Sequence, residues 1–296
     1  MVDIMKKCWT ACMLVCFCMA AFAGGRVEYK TMPCRLLQGI TEREYTVYLP
    51  PDYDTDTQRS YPVLYLLHGG GCSNTDWETY GGLCHLADSL IACGAMERMV
   101  IVCPEANKNN MIWFNADHWR YEDFFFREFV PYIESFYGIK KVKSFRSVAG
   151  YSMGGGASVV YGVLHPDMFS VVYGMSSYLR SQPLEFLKND PSAGWRQRLV
   201  DEYNPINTIQ EGSDGDVDKW RTVHWFIDCG DKDFTYDANA DLISAFRRRQ
   251  IPYEYRVKGG GHDWNYWRPA LRDALIYVSR QLRNNLNHYC PVKVDE

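Results

Sequence analysis

Beyond its first residues the chain has no apolar run approaching the ~18 residues of a membrane helix, so no later span is expected. It has no strong imbalance of charge. Lys and Arg number 32 against 36 Asp and Glu, for a net charge of −4 and a pI near 6.0. That balance offers no electrostatic footprint for nucleic acid, and no nucleic-acid partner is expected. Internal repeats, low-complexity tracts and long linkers are missing, which argues against repeat arrays and tethered modules. No Walker or dinucleotide glycine motif follows a first strand. After the N-terminal region no pair of cysteines has the C-x-x-C spacing of a zinc site. Asp214-Gly215-Asp216-Val217-Asp218 has the look of a calcium-loop fragment. An EF-hand would need Gly at its sixth position and Glu at its twelfth, where Lys219 and Trp225 stand. A solvated acidic turn is the better reading, and neither metal nor cofactor is expected.

Hydrophobic residues make up 47% of the sequence and charged residues 23%, the balance of an ordinary globular chain. Its 296 residues allow one large domain or two small ones and can bury a sizeable core. Aromatic residues reach 15%. Most of them belong to a core, yet so many flat rings also offer surfaces for sugars or aryl groups. The N-terminus reads as a secretory signal: Lys6 and Lys7, an apolar Cys8 to Ala20, then Ala21-Phe22-Ala23 as an A-x-A cleavage site. Cleavage is expected after Ala23, leaving 24–296 as one domain that is secreted or periplasmic, with no stable membrane insertion. A lipoprotein reading would use Cys16 or Cys18, but the residues before them fit that pattern poorly. Seven cysteines follow the signal (34, 72, 84, 93, 103, 229 and 290), an odd number that leaves at least one unpaired within a monomer. Cys103 and Cys229 fall in predicted strands and read as buried thiols.

Short apolar strands alternate with helical patterns. Strands are predicted at Tyr45 to Leu49, Val63 to Leu67, Met99 to Cys103, Ser147 to Tyr151, Ser170 to Tyr173, Val223 to Cys229 and Tyr253 to Val257. Helices are predicted near Gly82 to Cys93, Tyr121 to Phe136, Gly154 to Leu164, Asn239 to Arg249 and Arg268 to Leu286. Tyr121-Glu122-Asp123 and Arg127-Glu128 read as the solvated face of the second of these. The alternation predicts an α/β fold, a doubly wound and mostly parallel sheet flanked by helices. The stretch 179–219, broken by Pro183, Pro191, Pro205 and Gly212, is expected as a cap or lid insertion.

Gly150-Tyr151-Ser152-Met153-Gly154-Gly155 joins a predicted strand to a predicted helix. A G-x-S-x-G in that setting is the nucleophile elbow of α/β-hydrolases. Alone the pentapeptide is a weak signal, so its context must carry it. A serine hydroxyl needs a base, and the base a carboxylate to orient it. In this fold the chain order is Ser, then Asp or Glu, then His. Downstream histidines are His165, His224, His262 and His288. His262 sits in Gly259-Gly260-Gly261-His262-Asp263-Trp264 just after the last strand, at the edge where such sheets carry their sites. A plain surface histidine beside flexible glycines would leave the elbow unexplained. The preceding strand ends in Asp228-Cys229-Gly230-Asp231-Lys232-Asp233-Phe234. Position in that loop favours Asp233 over Asp231 as the acid. Backbone donors for an oxyanion are expected from Met153 and from His68-Gly69-Gly70-Gly71 after the third strand. Trp264 and Trp267, close behind His262, and Trp113 and Trp119, after the fourth strand, are candidates to line the cleft. At least one of Tyr266 and Trp267 should instead pack the last helix onto the sheet.

HGGG with Asp76-Trp77, GYSMGG, CGDKDF and GGGHDWNYW together resemble the esterase D-type family. That family holds feruloyl and acetylxylan esterases of carbohydrate esterase family one, with tributyrin-type esterases as relatives. The resemblance runs over about residues 40 to 285. It implies Ser152, Asp233 and His262 as the triad and Met153 and Gly70 as the oxyanion donors. It also implies a serine carboxylesterase acting on short or aromatic acyl esters, with acylated plant cell-wall carbohydrate or another small ester as partner. A general short-chain esterase, a thioester hydrolase or an acyltransferase would use the same triad. An inactive carbohydrate-binding scaffold is the alternative from outside enzymology. Asn109 to Phe114 carries no motif that would choose the substrate.

Overall fold

The computed structural model describes residues 24–56, 58–106, 113–116, 119–179, 189 and 193–289. In chain order the strands are β1 (Arg26–Pro33), β2 (Glu42–Leu49), β3 (Val63–Leu67), β4 (Val100–Pro104), the short pair β5 (Asn115–Ala116) and β6 (Trp119–Arg120), β7 (Arg146–Tyr151), β8 (Val171–Met175), β9 (His224–Gly230) and β10 (Tyr253–Lys258). The helices are α1 (Asp76–Thr79), α2 (Leu83–Ala92), α3 (Tyr121–Phe124), α4 (Val130–Phe136), α5 (Met153–Leu164), α6 (Ala193–Glu202), α7 (Pro205–Glu211), α8 (Asp214–Trp220), α9 (Tyr236–Arg248) and α10 (Trp264–Tyr289).

Eight strands form one sheet in the order β1-β2-β4-β3-β7-β8-β9-β10. β2 runs antiparallel to both β1 and β4, and the pairs from β4 to β10 are parallel. This is the doubly wound, mostly parallel α/β sheet the alternation predicted. β3 shows why its strands read as unbroken apolar runs. Val63, Tyr65 and Leu67 enter one core with α5 and α9, while Leu64 and Leu66 enter the other with α2 and α10. All five side chains are buried, because helices cover both faces of the sheet. Each such side chain contributes about 1.5–3 kcal/mol of burial.

Several stretches hold elements that the sequence reading did not name. β1 was not anticipated: Met32 is its one fully buried side chain, and an edge strand with so little apolar content has no alternation to read. The predicted helix over Tyr121 to Phe136 is interrupted by a π-helical turn at Phe125–Phe129. There the wider turn buries Phe124, Phe125 and Phe129 together. Its face is not simply solvated either. Glu122 takes hydrogen bonds from Tyr203 Oη at 2.8 Å and pairs with His165 Nε2 at 2.7 Å. The stretch 179–219 holds α6, α7 and most of the run into α8 among its described residues. Pro205, read as a breaker, opens α7 behind an Asn204 cap. The acidic Asp214–Asp218 run is the first turn of α8, closed by a Ser213–Asp216 capping box. The six described cysteines are free thiols, and Cys103 and Cys229 are buried in their strands. Among the described residues no helix is long and apolar enough to cross a membrane.

Candidate active site

β7 runs into α5 with no room at the turn. A Cβ on Gly150 would lie 2.5 Å from the Gly154 carbonyl group, and one on Gly154 would lie 2.6 Å from the Leu67 carbonyl. Glycine at both positions lets strand, helix and β3 approach this closely. The turn falls on Ser152, whose φ of 54° and ψ of −122° leave the regions a side-chain-bearing residue prefers. Three backbone hydrogen bonds hold it there. Ser152 N donates to the Met175 carbonyl at 3.0 Å, and its carbonyl accepts from Gly156 N at 2.9 Å and Tyr178 N at 2.8 Å. The strain fixes the hydroxyl at the C-terminal edge of the sheet.

His262 Nε2 lies 2.8 Å from Ser152 Oγ. Its Nδ1 lies 2.9 Å from both Oδ1 and Oδ2 of Asp233. The imidazole therefore donates from Nδ1 to a carboxylate and turns its Nε2 lone pair to the serine hydroxyl. Asp233 is almost wholly buried, at 4% exposure, and still held as an anion. Burial pushes its carboxyl up. Hydrogen bonds from His262, the Thr235 N–H, the Ser176 hydroxyl and the Thr235 hydroxyl together outweigh burial, so the value falls below that of an ordinary carboxylate. Both Thr235 bonds to Oδ1 are 2.8 Å long. Asp231 does something else. Its Oδ1 accepts from Gly260 N at 2.9 Å, so it buttresses the loop that carries His262.

Met153 is the first residue of α5, where a backbone N–H has no acceptor within the helix. Gly70 packs directly on it: a Cβ there would overlap Met153 Sδ and lie 3.2 Å from Cγ. The glycine loop after β3 and the helix N-terminus thus meet beside Ser152. Beneath them His68 is fully buried. Its Nδ1 donates to the Gly69 carbonyl at 2.8 Å, and its Nε2 accepts from Ala106 N at 3.0 Å. Burial pushes it below the ordinary histidine value, which suits this neutral, bridging form. Glu105, also buried, accepts from Asn74 N at 3.0 Å beside the same loop.

The four tryptophans expected to line the cleft divide. Trp264 is half-buried in a cluster with Trp77, Tyr80, Tyr151 and Trp267. Trp267 sits edge-on to His262, ring centroids 4.9 Å apart, and its Nε1 donates to Ser176 Oγ at 3.1 Å. It is buried, and so is Tyr266, so both pack α10 onto the sheet. Trp113 and Trp119 correct the expectation. At 2% and 3% exposure they offer no open face. Trp113 packs on His68 and Tyr121, and Trp119 stacks on Tyr121 under the Arg43 guanidinium. Beside them Asn115 pairs with Arg120 and Ala116 with Trp119, and α3 begins at Tyr121. Asn109 to Ile112 lie outside the described residues.

Sequence reasoning passed over Ser176, Asp228 and Phe234. Ser176 bonds Asp233 and Trp267 from a backbone at φ 45°, and no residue pattern announces that turn. Asp228 is buried in β9, where Tyr173 and Tyr266 hydroxyls donate to its carboxylate. Burial pushes it above the usual carboxylate value despite those bonds. Phe234 stands between Asp233 and Thr235, both of which turn inward, and no sequence pattern announces that its ring turns outward. Among the described residues no group of three or more His, Cys, Asp or Glu side chains could hold a metal ion. The arrangement as a whole can activate a hydroxyl, receive its proton and offer N–H donors to a developing oxyanion.

The profile of the family described as Putative esterase matches residues 40–278. A solved ferulic acid esterase is 37% identical, with a TM-score of 0.80 over 87% of this chain and 99% of its own. An acetyl esterase from Caldicellulosiruptor saccharolyticus is 24% identical over 77% of this chain and 86% of its own. An endo-1,4-beta-xylanase/feruloyl esterase from Xylanibacter ruminicola is 27% identical over 76% of this chain, which spans 28% of that longer protein.

Proposed function

The chain belongs to the Putative esterase family and hydrolyses carboxylic esters, and from that premise we propose a serine carboxylesterase that frees short or aromatic acyl groups from plant cell-wall polysaccharide. One observation carries the reading: the hydrogen-bonded line from Asp233 through His262 to Ser152. Ser152 Oγ attacks the ester carbonyl as His262 Nε2 takes its proton. Asp233 keeps the imidazole in the tautomer that can accept it and stabilises the imidazolium. The N–H groups of Met153 and Gly70 take the charge that grows on the carbonyl oxygen. His262 then protonates the departing alcohol, and water attacks the acyl-enzyme with His262 again as base. The ferulic acid esterase and the acetyl esterase support an aromatic or short acyl group, and the xylanase-linked relative supports a polysaccharide setting. The leader pattern ending at Ala23 supports action in the periplasm or outside the cell, where such polysaccharide is met.

The test joins covalent labelling to a substrate panel. A fluorophosphonate is expected to label Ser152 in the wild type and nothing in Ser152→Ala, with kcat lost by several orders of magnitude. Acetyl, butyryl and feruloyl esters and feruloylated xylo-oligosaccharide are then ranked by kcat/KM. Labelling elsewhere, or near-normal turnover by Ser152→Ala, would remove Ser152 as nucleophile. Best activity on long-chain triglycerides would remove the polysaccharide substrate and leave the serine hydrolase.

A further inference from the structure

Two rings touch His262 among the described residues, and they differ in one respect. Trp267 is buried, whereas Phe234 is 68% exposed. The backbone explains why. Asp233 turns inward to meet His262, and Thr235 turns inward to bond Asp233. The residue between them is forced outward, and its ring settles on the imidazole, centroids 4.4 Å apart at 48°. Tyr178, whose N–H braces the elbow, meets the same ring edge-on at 6.1 Å. A single exposed phenylalanine is common on any surface. This one stands over the group that moves the proton, and with so much of its ring in solvent the core has little use for it.

The chemistry decides which half of an ester such a ring would meet. His262 Nε2 receives the serine proton and must hand it to the oxygen of the leaving alcohol, within about 2.6–3.2 Å. The alcohol therefore departs next to the imidazole. We propose that Phe234 is the platform for the leaving group, a flat apolar face on which the sugar ring of an acylated carbohydrate lies while its ester oxygen takes the proton. This deepens the esterase reading and rests on it. On this assignment the acyl group, bound to the carbonyl carbon that Ser152 attacks, makes no use of the ring.

Two pairs of esters separate the halves. Methyl ferulate and feruloylated arabinoxylo-oligosaccharide share an acyl group and differ in alcohol. 4-Nitrophenyl acetate and 4-nitrophenyl ferulate share an alcohol and differ in acyl group. In Phe234→Ala the preference for the sugar ester over the methyl ester, as a ratio of kcat/KM, is expected to fall about tenfold. The acetyl-to-feruloyl ratio should not move. Phe234→Leu keeps apolar bulk over the His262–Asp233 bond but has no flat face, so it should lose the sugar preference as well, and Phe234→Trp should keep it. Equal losses on methyl and sugar esters would make Phe234 a shield for the imidazole and overturn the proposal. So would a shift in the acyl ratio, which would assign the ring to the acyl pocket. A wild type that hydrolyses methyl ferulate as well as the sugar ester would also refute it while leaving the esterase reading intact. A wild type inert toward all four esters would sink the esterase reading itself, and this proposal with it.

Discussion

Exchanging Asp233 for asparagine removes one charge and almost no volume, and the geometry makes the consequence severe. Four donors converge on this carboxylate from several sides: His262 Nδ1, the N–H and hydroxyl of Thr235, and the Ser176 hydroxyl. Only an acceptor satisfies such a set. Oδ1 and Oδ2 are both 2.9 Å from Nδ1, so either orientation of an amide sets one of its N–H groups against the Nδ1–H. The imidazole escapes that clash by moving its proton to Nε2, which then points a hydrogen at Ser152 Oγ. A base in that tautomer cannot take the serine proton. The expected loss is about 10⁴-fold in kcat, or about 5.5 kcal/mol of transition-state stabilisation. The same exchange at Asp231 meets one donor, Gly260 N, at an exposed site, and its expected cost is within about threefold. The assay compares kcat for both variants on one ester, normalised to sites titrated with a fluorophosphonate. Circular dichroism verifies that each variant is folded. Asp233→Asn keeping more than about a tenth of wild-type activity, or Asp231→Asn losing more than Asp233→Asn, would refute the assignment of the acid.

The sheet and the elbow were legible for reasons the structure makes plain. A strand covered on both sides must be apolar at every position, so Val63–Leu67 and Val100–Pro104 stand out from any background. The glycines around Ser152 were legible because three backbones crowd there, and crowding leaves one residue type. The Asp–His geometry could be narrowed by topology, since loops after successive parallel strands share one edge of the sheet. What lay beyond reading was the orientation of rings. Trp113 and Trp119 are the same residues whether they face a cleft or a core, and their burial depends on contacts with His68, Tyr121 and Arg43 that no local pattern encodes. Trp267 and Phe234 both touch His262, yet one is buried and the other exposed, a difference set by where α10 starts and by the in-out-in course of Asp233, Phe234 and Thr235. The buried support was equally silent. His68 bridging Gly69 and Ala106, and Ser176 bonding Asp233, join residues far apart in sequence through contacts no local pattern encodes.

Gly154→Ala should destabilise the protein by about 1–3 kcal/mol or more in urea melts, because its Cβ would press on the backbone of Leu67 and His68. Gly259→Ala, with nothing within 4 Å, is the control and should change stability by less than about 1 kcal/mol. Trp264→Ala should weaken feruloyl-ester turnover more than acetyl-ester turnover, and equal losses would assign that half-buried ring to packing alone. The last prediction concerns two carboxylates that end up on opposite sides of their ordinary value. Asp233 is held low in the folded state, so its contribution to stability is present above the unfolded carboxylate range, near ~3.9, and is lost as pH falls through the folded value. Asp228 is pushed up by burial, against the Tyr266 and Tyr173 hydroxyls. Its contribution is present below the unfolded range and is lost as pH rises through the folded value. Asparagine does not titrate, so each variant isolates one group. The stability cost of Asp233→Asn should therefore be larger at pH 7 than near pH 3, below the unfolded carboxylate range, and that of Asp228→Asn larger near pH 3 than at pH 7. Urea melts of both variants and the wild type at the two pH values give four differences. Slopes of the same sign would mean that the hydrogen bonds around Asp233 do not outweigh its burial, and the account of why this buried acid stays charged would fail.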